Sequence, residues 1–250
     1  MGAKLPPMRS WLHRSTNALL GSFGLKLVNA RWGPRGAVDS LQRARTGGVD
    51  VRQVADVGAS NGSWTRDCLA VFPDAHYLLI EPLPLHAAAL ASLHEQHPNV
   101  RFWQGGLAST SGELELLAHA DQSSFLRSDS FPDQRPHRVE VRTLDSFLGG
   151  ELLQAPDLIK ADVQGFELEV LRGAKQCLET AQLLLLEVSY RRIYENLALA
   201  HEVIGHVGDA GFRIYDICTY AGRPSDGELT QSDILFAAEG SPLFANEAWC

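Results

Sequence analysis

The chain has 250 residues, 45% hydrophobic and 21% charged, enough for one full-sized α/β domain with a substantial core. Its net charge of −8 argues against a general polyanion binder, and no apolar run approaches the length of a membrane span. The four cysteines, Cys68, Cys177, Cys218 and Cys250, form neither a CxxC metal pair nor a disulfide framework, so a reducing cytoplasm is the expected compartment.

Residues 1–50 carry eight basic side chains against two acidic ones, Asp39 and Asp50. Apolar Trp11, Leu12, Leu19, Leu20, Phe23 and Leu27 are scattered among them, without the continuous apolar stretch of a signal peptide. The expectation is a basic, helical N-terminal extension packed on the main domain, with peripheral contact to a membrane or a partner as the alternative. Residues 51–240 are expected to form the main domain and 241–250 a C-terminal tail.

From residue 54 onward, short apolar runs alternate with helical patterns. "QVADVG" reads as a strand ending in a glycine turn, "SWTRDCLAVF" as a helix, "HYLLIEP" as a strand and "LHAAALASLHEQH" as a helix. "VRFWQGGL" is a third strand, closing on Leu107. "GELELLAH" and "HRVEVRTLD" alternate apolar and polar, as half-exposed strands do. The polar, proline-bearing stretch between them reads as a loop. "PDLIKADVQG" is a buried strand and "FELEVLRGAKQCLET" a single helix, with Phe166, Val170, Leu171 and Ala174 on one face. "QLLLLEVS" is another buried strand, "ALAHEVIGHVGDAG" a helix, and "FRIYDI" and "SDILFAAE" the last two strands.

Strands alternating with helices predict a Rossmann-like, doubly wound, mostly parallel sheet with both faces covered. The linker before "SDILFAAE" has turn signals and no helix, so that strand is expected to return antiparallel. A doubly wound sheet with a closing antiparallel hairpin is the usual architecture of class I methyltransferases, which use S-adenosylmethionine.

Two constellations carry the chemistry. In "DVGASNG", Asp56, Gly58 and Gly62 stand at D-x-G-x-x-x-G spacing, with Ser60 and Asn61 inside the turn. A pyrophosphate needs a second glycine where Ser60 stands, whereas S-adenosylmethionine carries no phosphate. Glu81, at the tip of the second strand, is placed to accept both ribose hydroxyls. Leu107 completes the expected cofactor site. The second constellation puts Asp162 and Glu187 at the carboxyl ends of adjacent strands, where ligands of open α/β sheets lie. They are read as groups flanking a substrate hydroxyl; the bland alternatives are that Asp162 caps the next helix and that Glu187 pairs with Lys160 or an arginine.

The segments "VADVGASNGSWTRDCLAVFPDAHYLLIEP", "DQSSFL", "VEVRTLDSFL", "DLIKADVQGFELEVLRGA" and "LLLLEVS" together resemble the FkbM family of S-adenosylmethionine-dependent methyltransferases, from about Val54 to about Ala238. The resemblance implies O-methylation of a hydroxyl on a sugar, glycan or natural product. It also implies that Asp56, Gly58 and Gly62 form the cofactor turn and Glu81 the ribose-binding acid.

A hydroxyl acceptor must lose its proton, and the base must lie within hydrogen-bond reach. Asp162 is the first candidate and Glu187 the second, with His119 and His137 behind them. No metal is assigned, since two carboxylates alone do not make a cation site. Asp121, Gln122, Ser123 and Ser124 of the loop suit a polyhydroxylated acceptor. The expected partner is a small-molecule or glycan acceptor, nucleic acid is not expected, and a homodimer is left open. An NAD-dependent oxidoreductase and a catalytically inactive binding protein of the same fold are the competing readings.

Overall fold

The alternating runs fold into an eight-stranded sheet and a separate three-stranded one. The computed structural model describes residues 36–119, 122–131, 133, 135–152, 154–223 and 225–246, all in the unit Gly36–Cys250. Most of the expected basic extension, and Asp121 and Cys250, lie outside the described residues. Residues 36–50 contain helix α1 (Ala37–Thr46), which buries Leu41 and Ala44 against Val54, Cys68 and Leu69. Among the described residues, no helix is long and apolar enough to cross a membrane.

The elements then run β1 (Gln53–Val57), α2 (Ser63–Val71), β2 (His76–Ile80), α3 (Ala87–Gln96), β3 (Val100–Trp103), β4 (Gly106–Leu107), β5 (Gly112–Ala118) and β6 (Arg135–Arg142). After them come β7 (Leu158–Ala161), α4 (Glu167–Arg172), α5 (Lys175–Thr180), β8 (Leu183–Ser189), α6 (Ala200–Asp209), β9 (Phe212–Ile217), β10 (Ala221–Gly222) and β11 (Leu229–Ala238). The main sheet has the order β10-β11-β8-β7-β1-β2-β3, with β9 also on β11. Strands β3, β2, β1, β7 and β8 are parallel; β11 returns antiparallel to both β8 and β9. This is the mostly parallel sheet with a closing antiparallel hairpin that the patterning predicts.

Both faces of the sheet are buried, which is why its strands read as nearly continuous apolar runs. Successive side chains alternate between faces. Ala55, Val57, Leu78, Ile80, Ile159, Leu184 and Leu186 join one cluster, and Val54, Tyr77, Leu79, Leu158, Leu183 and Leu185 the other.

Two expectations need correction. The single strand "VRFWQGGL" divides: β3 belongs to the main sheet, while β4 joins β6 and β5 in the small sheet. The glycines cause the departure. A Cβ on Gly105 would lie 2.2 Å from the Trp103 ring, and one on Gly106 2.6 Å from Phe125, so the chain turns where side chains cannot follow. The single helix over 166–180 is also two, α4 and α5. It breaks at Gly173, whose backbone passes so close to the Ala108 carbonyl that a Cβ would sit 2.2 Å from its oxygen.

Candidate active site

The site grows from the carboxyl ends of β1, β2, β7 and β8. After β1 the chain turns at Gly58 (φ 75°), passes through left-handed Ser60 (φ 48°) and enters α2 at Gly62 (φ 77°). Gly58 is required twice over: by its positive φ, and because a Cβ there would lie 1.9 Å from the Asp162 carbonyl oxygen. Its N–H donates to the Ile80 carbonyl at 2.9 Å, tying the turn to β2. Glu81 continues the tie: its carboxylate accepts from the N–H of Ser60 at 2.8 Å and of Leu83 at 2.9 Å. Burial raises the Glu81 pKa, and those two N–H groups work against the rise.

Asp56 is fully buried and lines neither of the cavities described below. Its carboxylate accepts from Thr65 Oγ1 at 2.5 Å and lies 3.1 Å from Lys160 Nζ. Lys160 also donates to the Gly58 carbonyl at 2.7 Å. Asp56 thus acts on the turn through Lys160 and through the helix that follows. Burial opposes the Lys160 charge, but Asp56 and Asp162 outweigh it and its pKa is raised.

Strand register assembles the rest. Asp56 pairs in register with Lys160, and Glu187 with Asp233. Asp162, two residues beyond Lys160, continues the same face at the strand end. The Gln164 side-chain amide donates to Asp162 Oδ1 at 3.1 Å and to Glu187 Oε2 at 3.0 Å. Gln231 donates to the same Glu187 oxygen at 2.7 Å. Burial drives the Glu187 pKa well above the ordinary carboxylate range, and the charges of Asp162, Glu167 and Asp233 add to the rise. Among the described residues, Glu187 makes these side-chain hydrogen bonds and no ion pair with Lys160 or an arginine. Nor does Asp162 cap α4. The turn N–H groups of Val163 and Gly165 go to Glu167, at 3.0 and 3.1 Å. Glu167 is buried, and the burial raises its pKa to about 7.

Two cavities meet at Gly58, Ser60, Ser63 and Asp162. The larger, about 400 Å³, runs from Asn61, Glu81 and Leu83 past Leu107 to Gln122, Ser123 and Gln164. The smaller, about 130 Å³, is walled by Trp64, Lys160, Glu187 and Asp233. Of the residues singled out in the sequence, Gly58, Ser60, Asn61, Glu81, Leu107, Gln122, Ser123 and Asp162 line the larger space, and Glu187 lines only the smaller. Gly62 packs instead toward Leu90 and Leu93. Ser124 is buried and donates to the Gln164 carbonyl at 2.8 Å. His119 stacks on Phe131 and His137 is exposed on β6; neither lines either of these two cavities. Among the described residues, no group of three or more His, Cys, Asp or Glu is arranged to hold a metal ion.

The larger cavity fits the cofactor read from the sequence. A carboxylate stands at the end of β2, the turn at Gly58 is bare of side chain, and Leu83 and Leu107 supply apolar walls. Lys160, Gln164, Tyr194 and Gln231 were not singled out as site residues. The spacing of Lys160 and Asp162 alone puts both on one face, but Tyr194 and Gln231 reach the site through contacts distant in sequence.

Comparison with known proteins gives the family. The chain matches the FkbM methyltransferase domain over residues 56–214. It is 26% identical over 158 residues to the 2-O-methyltransferase NoeI of Sinorhizobium fredii (strain NBRC 101917 / NGR234), a match covering 57% of this chain and 65% of that protein. Among solved structures it resembles the FkbM methyltransferase of Methylobacillus flagellatus KT, with a TM-score of 0.52 and 17% identity, over 82% of this chain and 48% of that one. The chain thus spans under two thirds of the length of the curated relative and about half of the structural one.

Proposed function

The chain belongs to the FkbM methyltransferase family, and we propose that it transfers a methyl group from S-adenosylmethionine to a hydroxyl of a sugar, glycan or natural product. Residues 51–240 are the catalytic domain in this reading. The observation that carries it is the placement of Glu81 and Asp162 on opposite sides of one glycine turn, both lining the same cavity. The name of the curated relative, a 2-O-methyltransferase, supports oxygen as the acceptor atom.

When bound, S-adenosylmethionine supplies a methyl group already activated by its positively charged sulfur. Glu81 accepts the ribose hydroxyls while its bonds to Ser60 and Leu83 fix its orientation. Gly58, Ser60 and Asn61 present backbone groups, and Leu83 and Leu107 bound the space apolarly. What is left for the protein is alignment and removal of one proton. Asp162 is the base: it stands where the two cavities meet, and its side chain is 41% exposed, so an acceptor can reach it. Glu187 has the opposite character. Its raised pKa keeps it protonated at neutral pH, so it serves as a neutral hydrogen-bonding group beside the base. Gln122 and Ser123 supply donors and acceptors for further hydroxyls.

The test has two parts. Calorimetry should show binding of S-adenosylmethionine and none of NAD. Asp162→Asn should keep that binding while kcat for methyl transfer falls about 100-fold or more. Binding of NAD in preference, or near-normal turnover of the Asn variant, removes the respective half of the proposal.

A further inference from the structure

Gln164 stands at the junction of Asp162, Glu187 and Tyr194. It is one of only three non-glycine residues with positive φ among the described residues, at 53°. That conformation costs an L-residue about 1 kcal/mol, and it directs the side chain between two strand ends. There its amide nitrogen bridges Asp162 and Glu187. Its amide oxygen accepts from the Tyr194 hydroxyl at 3.3 Å, and its main-chain carbonyl from Ser124. The Gln122 carbonyl lies 3.1 Å from the same Tyr194 hydroxyl, whose single proton is shared between the two acceptors. Tyr194 is 2% exposed, so the bonds of its hydroxyl are sheltered from water.

We propose that Gln164 is a positioning residue for methyl transfer: it clamps Asp162 and Glu187 into one unit and locks that unit to the acceptor loop carrying Gln122 and Ser124. The inference deepens the O-methyltransferase reading and rests on it for its catalytic meaning. The amide is suited to the task. Two N–H groups on one nitrogen satisfy two carboxyl oxygens at once without adding charge. Glu187 already faces Asp162, Glu167 and Asp233, with Lys160 as the countercharge and Tyr194 beside it. A further carboxylate at position 164 would add repulsion where an amide adds donors. The bond from the Ser124 hydroxyl to the Gln164 main-chain carbonyl makes the clamp respond to the loop, so a seated loop and an ordered pair of carboxyl groups occur together.

The decisive experiment is an infrared pH titration of the Glu187 carboxyl, with its band assigned by loss in Glu187→Gln. Removing a donor to the charged form raises a carboxyl pKa. Gln164→Leu, which keeps the same backbone strain, should move the midpoint upward by about one unit. Should Gln164→Leu fail to fold, Gln164→Asn takes its place; Asn tolerates positive φ and is one methylene short of the bridge, so the same direction is expected. An unmoved midpoint in a folded variant overturns the clamp, whatever the acceptor is. In turnover, Gln164→Leu should lower kcat about 10-fold or more, and Tyr194→Phe should chiefly raise the acceptor KM. Equal kcat and KM to the parent in both variants also overturns it. Absence of hydroxyl methylation by the parent enzyme would instead defeat the proposed function, and the infrared result would still judge the clamp.

Discussion

Gly58→Ala tests the physical claim that the turn after β1 has no room for a side chain. Gly227 provides the control, because it has the same φ of 75° with nothing within 4 Å of its would-be Cβ. Gly227→Ala therefore costs only the left-handed strain, about 1 kcal/mol. Gly58→Ala carries that strain and a Cβ 1.9 Å from the Asp162 carbonyl oxygen. Relief to an ordinary 3.4 Å contact requires β1 and β7 to part by about 1.5 Å at this point. The Asp162 N–H bond to the Val57 carbonyl, 3.1 Å long, does not survive that movement. Overpacking costs about 1–3 kcal/mol and the lost bond about 1 kcal/mol, so Gly58→Ala should destabilise by about 3–5 kcal/mol in all. Urea unfolding of both variants measures the difference, and calorimetry should show loss of S-adenosylmethionine binding for Gly58→Ala alone. Equal urea midpoints for the two would refute the steric account of the turn.

Three further outcomes follow from the site. Lys160→Met leaves Asp56 buried without its countercharge and should destabilise by about 3–5 kcal/mol, read by urea unfolding at pH 7; a loss under 1 kcal/mol would show that the pair is dispensable. Glu167 has a folded-state pKa raised to about 7 from 4.5, so the folded state holds the proton more tightly than the unfolded chain. Its contribution to stability is therefore full below pH 4.5 and declines as pH rises toward 7. Glu167→Gln should flatten that window and make the protein more stable than the parent at pH 8, by about 2–3 kcal/mol; an unchanged pH profile would contradict the assignment. Glu81→Gln keeps an acceptor for one of the two loop N–H groups but loses the charge toward the ribose, and should weaken S-adenosylmethionine about 10-fold or more by calorimetry.

The order of strands and helices was legible because both faces of a parallel sheet are buried, which turns strands such as "LLLLEV" into unbroken apolar runs. The breaks were not. Gly173 and Gly105 end their elements through contacts with Ala108 and Trp103, and a glycine inside a periodic pattern does not announce its neighbour. The same division runs through the site. That Gly58, Glu81 and Asp162 gather at one cavity could be read from their places at strand ends. The role of Asp56 could not, since its partner Lys160 is 104 positions away in sequence and joins it through β1–β7 register. Gln164 was hidden for a different reason. Sequence patterning gives its backbone a turn, and only the side-chain bonds to Asp162, Glu187 and Tyr194 show what the turn holds.

Methyl transfer to oxygen is read most directly by following the methyl group itself. The protein is incubated with S-adenosylmethionine labelled with ¹³C in the methyl group, together with a panel of sugar and macrolide alcohols, and the products are read by carbon NMR. The account predicts a labelled methyl ether from at least one alcohol, with Asp162→Asn producing little of it. Binding of the cofactor with label appearing only on nitrogen or carbon acceptors offered alongside, and never on oxygen, would contradict it.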